Sequence, residues 1–187
     1  GYHSLTLGHN LPEQINAKEP VKVQVYANNL NGTPISAKGN VKISKLVVPD
    51  QPFISRYWNQ PDIRRTTEEE FKSNFPQGIY KNEDQYPNWE VDEVMYTATF
   101  NTALSDSLMS LSFKKWQPGV YKYEATAQDK NGQTITDVHY FTLFDPKSKT
   151  IPDNATLWVK SMHGTVAPGD EVEVLIGTHE EHLNVLF

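Results

Sequence analysis

The chain has 187 residues, of which 37% are hydrophobic and 21% charged, a formal net charge of -6 and no cysteine. That length holds one domain of ~100–150 residues with a remainder. An acidic chain without a basic block argues against a nucleic-acid surface. No run of ~18 apolar residues is available to cross a membrane as a helix, and the lack of Cys removes disulfides, thiol nucleophiles and Cys-based zinc sites.

Residues 2–7 read as a first strand, broken at Asn10-Leu11-Pro12. Val21, Val23 and Val25 alternate with Lys22, Gln24 and Tyr26, which predicts a strand with one apolar face. Turn chemistry follows at 28–34, with Asn31-Gly32 inside it. Val41 and Ile43 open a third strand, expected to run through Val48 and stop at Pro49. Residues 51–93 make an excursion too long for a hairpin loop, so it should carry structure of its own. Thr66 with Glu69, and Thr67 with Glu70, each fit a capping box. The acids Glu68, Glu69 and Glu70 suit a first helical turn, and Pro76 ends the helix. One short helix is predicted there, with Phe71 and Phe75 on one face. Strands resume at 94–101, with Met95, Thr97 and Thr99 on one side and Tyr96, Ala98 and Phe100 on the other. Another follows at 107–113.

The strongest pattern lies at 116–145. Pro118-Gly119 is a turn. Tyr121, Tyr123, Ala125 and Ala127 then alternate with Lys122, Glu124, Thr126 and Gln128, a strand with one face buried. Asp129-Lys130-Asn131-Gly132 supplies a tight turn, with Gly free to take a positive φ, and 134–144 return as the second half of a long antiparallel hairpin. The Pro-Gly-x-Tyr start matches the corner of sandwich folds in which a Tyr hydroxyl ties the chain down. About seven strands, most separated by turn signals, predict an all-β, immunoglobulin-like antiparallel β-sandwich.

A linker at 145–153 precedes a new β pattern. It comprises 155–160 with Trp158, a turn at Ala167-Pro168-Gly169-Asp170, and 171–177, where Val172, Val174 and Ile176 alternate with Glu171, Glu173 and Leu175. Residues 183–187 would give a third strand. Three strands from ~35 residues cannot close a core. The expected organisation is therefore a sandwich domain at 1–146 with an insertion at 51–93, then a linker and the truncated start of a second β domain at 147–187. The apolar, strand-like finish, and Gly1 as the remnant of a removed tag, suggest a piece of a longer polypeptide.

With these residues placed, the chain resembles a macroglobulin-like domain of a bacterial alpha-2-macroglobulin family protein. The likeness rests on Asn29-Leu30-Asn31-Gly32-Thr33-Pro34-Ile35 followed by Gly39-Asn40-Val41, and on Gln117-Pro118-Gly119-Val120-Tyr121 followed by Asp129-Lys130-Asn131-Gly132. It rests also on Trp158 followed by 167–177, which is similar to the opening of the bait-region-bearing domain. It covers nearly the whole chain apart from 51–93. The resemblance implies a non-catalytic structural domain in a large periplasmic or secreted chain, whose neighbours are domains of the same chain. The whole protein would act as an endopeptidase inhibitor that closes around a protease after bait cleavage. It implies no cofactor.

Candidate sites are few. His179-Glu180-Glu181-His182 is one residue short of His-Glu-x-x-His and sits in a turn, so it reads as a solvated turn rather than a metal motif. Asp129, Asn131 and Gly132 lack the full calcium-ligand series and read as a hairpin turn. Asn31-Gly32-Thr33 and Asn154-Ala155-Thr156 fit the glycosylation pattern. No catalytic constellation and no metal site is legible. Residues 51–93 hold eight of the 21 aromatics and a net charge of -4. Tyr57, Trp58, Tyr86 and Trp89 are the candidate ligand-binding residues, a stacking platform for glycan or protein. The competing expectation is that such rings anchor the excursion by burial. The alternative function is thus a glycan- or protein-binding sandwich module, and an enzyme is the remotest of the three.

Overall fold

The computed structural model describes residues 5–103 and 107–179. The chain divides into two compact units. One comprises Gly1–Val47 and Glu90–Asp145, the other Val48–Trp89 and Pro146–Phe187.

The first unit is an all-β sandwich. In chain order its strands are β1 (Thr6–His9), β2 (Gln14–Asn16), β3 (Val21–Asn28), β4 (Lys38–Leu46), β5 (Val91–Asn101), β6 (Leu108–Leu111), β7 (Gly119–Gln128) and β8 (Thr134–Phe144). They form a three-stranded sheet, β1-β3-β6, and a five-stranded sheet, β2-β8-β7-β4-β5. Every pairing is antiparallel except β2 with β8. The core joins inward residues of both sheets: Val23, Val25 and Leu111 from one, Val41, Ile43, Tyr121, Tyr123 and Phe141 from the other. Period 2 produces this directly, because alternate side chains of each strand turn to the same side.

Aromatic packing fills one end of that core. Tyr121 stacks on Phe141 at 5.5 Å, and Phe113 packs edge-on against Trp116 at 4.9 Å. The expected corner is present: the Tyr121 hydroxyl donates to the carbonyl of Gln117 at 2.7 Å. Two turns share one design. Asn29 and Asp129 each accept, through Oδ1, from the backbone N–H groups two and four residues on. Gly32 and Gly132 then take φ of 80° and 76°, a left-handed conformation that suits glycine.

Three departures from the sequence pattern have local causes. β2 is only three residues long, too short for any period to show, and it is held by parallel pairing to β8. β4 ends at Leu46 rather than Val48, after two register shifts against β5; Val47 is exposed. β5 starts at Val91, three residues early, because it follows β4 through those shifts.

The second unit contains α1 (Glu68–Asn74), a 3-10 turn (Tyr86–Asn88) and a two-stranded ribbon of β9 (Trp158–Ser161) and β10 (Val174–Gly177). Thr67 caps the helix, its hydroxyl accepting from the N–H of Glu70 at 3.2 Å. The alternation at 171–177 becomes a strand only from Val174, and the apolar side carried by Val159, Val174 and Ile176 is exposed. The strand expected at 183–187, and residues 2–4 of the first expected strand, lie outside the described residues.

Candidate functional site

The four rings singled out in the sequence fall into two pairs. Tyr86 and Trp89 flank the 3-10 turn and meet edge-on at 4.9 Å. The Trp89 indole N–H donates to the Glu83 carbonyl at 2.8 Å, and its side chain is buried. The Tyr86 hydroxyl donates to Asp153 Oδ2 at 3.2 Å, and burial, with Asp153 adding, pushes its phenol well above the usual range. Both rings are fastened inward by their polar ends, which is how buried Trp and Tyr satisfy those groups. Tyr57 and Trp58 stand apart at 92% and 74% exposure. They are consecutive residues in an irregular segment.

Several other polar groups of the excursion also bind the chain to itself. The Arg56 guanidinium donates to the carbonyls of Ile79 and Lys81. Arg64 lies over the Tyr80 ring at 4.4 Å. Phe71, on the helix face predicted from its spacing, packs against both Phe75 and Tyr80. Glu68 accepts from Lys72 and from Lys81, and these two bonds pull its carboxyl down to about 2. Glu68 is thus a helix-start acid with two cationic partners. Asn154 is buried and donates to the Gln51 carbonyl, so it is no glycosylation acceptor in this fold. His179 Nε2 donates to the Asp50 carbonyl at 3.0 Å; residues 180–182 lie outside the described residues. Among the described residues, no group of three His, Asp or Glu side chains is placed to hold a metal.

The first unit gathers a cluster that the sequence scatters. His9 Nδ1 lies 2.7 Å from Asp137 Oδ2, and the ring packs 4.5 Å from His139 and 5.0 Å from Tyr123. His139 Nε2 is 3.4 Å from the Pro12 carbonyl. Burial, reinforced by His9, lowers the His139 pKa, while the Pro12 carbonyl, Glu13 and Asp137 oppose the shift. Tyr123 is fully buried, and its hydroxyl has no hydrogen-bond partner among the described residues. An Asp–His pair can orient an imidazole as a general base. Here the ring's neighbours are a second imidazole and a buried phenol, and its side chain is only 15% exposed. The pair ties β1 to β8. Half of this cluster is readable from the hairpin: counting outward from its turn sets Tyr123 opposite His139 and Ala125 opposite Asp137. The arrival of His9 from β1 leaves no sequence signal.

A shallow groove of about 640 Å³ crosses the outer face of the five-stranded sheet, lined by Asn40, Thr99, Asn101, Thr126 and Gln128 among others. Beside it, Lys42 and Lys122 both pair with Glu124, at 2.9 and 2.6 Å, and hold its carboxyl below the usual range. The groove is polar and carries no pair of acids.

The fold is an all-β sandwich with a helical excursion. No family model matches the chain, and no curated protein matches it. Among solved structures, it is similar to alpha-2-macroglobulin of E. coli in its native conformation, with a TM-score of 0.38 and 13% identity over 85% of this chain. A beta-glucosidase from Listeria innocua matches with a TM-score of 0.25 and 14% identity over 76% of this chain. The chain spans 11% and 16% of those two proteins. Both are distant structural resemblances.

Proposed function

We propose that this chain is a non-catalytic structural domain of a large, macroglobulin-like protein, working by holding neighbouring domains of the same chain. The whole protein would act as a protease trap in the periplasm or outside the cell. The observation that carries this reading is how the polar groups are used. Tyr121, Arg56, Tyr86, Trp89, Glu68 and the His9–Asp137 pair all face partners within the chain. The residue patterns at 29–41, 117–132 and 158–177 support it as a resemblance.

The test has two parts. The 187-residue chain should give no saturable change in Trp fluorescence when titrated with oligosaccharides or peptides. The full-length parent, treated with a broad-specificity protease, should leave that protease active on small substrates and shielded from large ones. Free access of a large substrate after bait cleavage refutes the trap.

One observation favours a second reading, a binding module: Tyr57 and Trp58 are exposed side by side in sequence. It predicts saturable binding that Trp58→Ala abolishes.

A further inference from the structure

An endopeptidase takes its substrate as an extended strand, pairing with free backbone N–H and C=O groups and seating one side chain in a specificity pocket. Nicking therefore concentrates where backbone is both exposed and unbonded. Residues 55–65 meet both conditions. They form no helix, strand or hydrogen-bonded turn, and all but Arg56 and Gln60 are exposed. Among the described residues, their backbone groups make no hydrogen bond within the chain. Arg56 is clamped through its guanidinium only, which leaves its backbone open to pairing.

Side chains select the class of enzyme. Tyr57 and Trp58 are the two most exposed aromatics among the described residues, and neither ring has a partner there. The other exposed aromatics are poorly placed for cleavage. Tyr26 lies within β3, and its hydroxyl donates to the His9 carbonyl. Phe75 precedes Pro76, whose nitrogen carries no hydrogen. The basic residues of the segment are also less open. Arg64 lies over the Tyr80 ring. The residues after Arg65 are fixed, because the Thr66 carbonyl accepts from the Tyr80 hydroxyl at 2.8 Å and Thr67 caps α1.

Both flanks of the segment are fastened to the same stretch, 77–81. On the upstream side the Ile54 N–H donates to the Gln77 carbonyl at 2.9 Å, and Arg56 holds the carbonyls of Ile79 and Lys81. On the downstream side Tyr80 holds Thr66, and its ring packs 5.3 Å from Phe71 of α1. A break between these anchors frees two ends without releasing either flank.

We propose that residues 55–65 are a cleavage segment for an endopeptidase of aromatic specificity, cut after Tyr57 or Trp58, and that the nicked chain keeps its fold. Water adds across the cut bond, leaving a carboxylate on one side and an amino group on the other. The cut concerns this chain's own backbone and is independent of whether the parent traps a protease.

Limited digestion of the 187-residue chain with chymotrypsin, followed by mass spectrometry, tests this. The first products should end at Tyr57 or Trp58, with the complementary piece beginning at the next residue. The two pieces should elute together at native size and separate in urea. The double variant Tyr57→Ala, Trp58→Ala should lose this cut by about tenfold or more, because the pocket has no ring to seat. Its digestion by trypsin should proceed at the parent's rate, which a misfolded variant would not do. A first cut elsewhere, an undiminished cut in the double variant, pieces that part at native size, or a trypsin rate that changes with the rings would each overturn the inference.

Discussion

Two tyrosines two residues apart on β7 allow a controlled comparison. Tyr121 and Tyr123 are both fully buried and point into the same core. Tyr121 donates to Gln117, whereas the Tyr123 hydroxyl meets no partner among the described residues. Replacing either with Phe removes one oxygen and leaves the ring. In Tyr121→Phe a hydrogen bond is lost, and Gln117 is exposed, so water can reach the freed carbonyl. The cost should then stay near ~1 kcal/mol, the net value of an ordinary hydrogen bond. In Tyr123→Phe an unsatisfied buried hydroxyl disappears, and its desolvation penalty of ~1–3 kcal/mol is relieved. The same chemical change should destabilise at one position and stabilise at the other, with the two variants separated by ~2–4 kcal/mol. Urea unfolding followed by circular dichroism measures both, and the midpoints should fall on opposite sides of the parent with the slope unchanged. A Tyr123→Phe variant less stable than the parent would refute the reasoning, because it would mean that the hydroxyl has a partner.

Other outcomes follow from the same geometry. His139 releases its proton more readily when folded than when unfolded, so the unfolded chain binds more protons as pH falls through the ordinary histidine range. Stability should be full above about pH 7 and decline below it, and His139→Gln should flatten that decline in urea midpoints compared at pH 8 and pH 5. Trp89→Ala should cost ~3–5 kcal/mol, as expected for a buried Trp, whereas Trp58→Ala should change the thermal midpoint by less than ~1 °C. Gly132→Ala and Gly32→Ala meet no neighbouring atom, so their cost is conformational alone, ~1 kcal/mol each. Equal losses at the two turns would confirm their common design; a neutral change at either would contradict it.

The parts of the fold legible in the sequence are those whose information is local and repeated. β7 announces itself by alternation over 121–128 and β8 as the β-rich run that returns after a glycine turn, and α1 by its cap and its Pro stop. β2 was invisible because three residues have no period; its partner on β8 lies far off in the chain. The His9–Asp137 pair, 128 residues apart, was hidden for the same reason. In the aromatic excursion, composition identified the rings but not their orientation. Trp89 turns inward because Glu83, six residues before it, offers a carbonyl to the indole, while Trp58 has no such tie among the described residues. Nor does local sequence reveal that Val48–Trp89 belongs to the same compact unit as Pro146–Phe187.

The parallel pairing of β2 with β8 governs how this unit bears tension. A pull toward the N-terminal side drags β2 one way along its axis, and a pull toward the C-terminal side drags β8 the other. The backbone bonds from 13–17 to 142–144, with the Lys18–Asp145 ion pair beside them, are then loaded together in shear rather than peeled one at a time. A protein strung from such units would yield to force abruptly, not gradually.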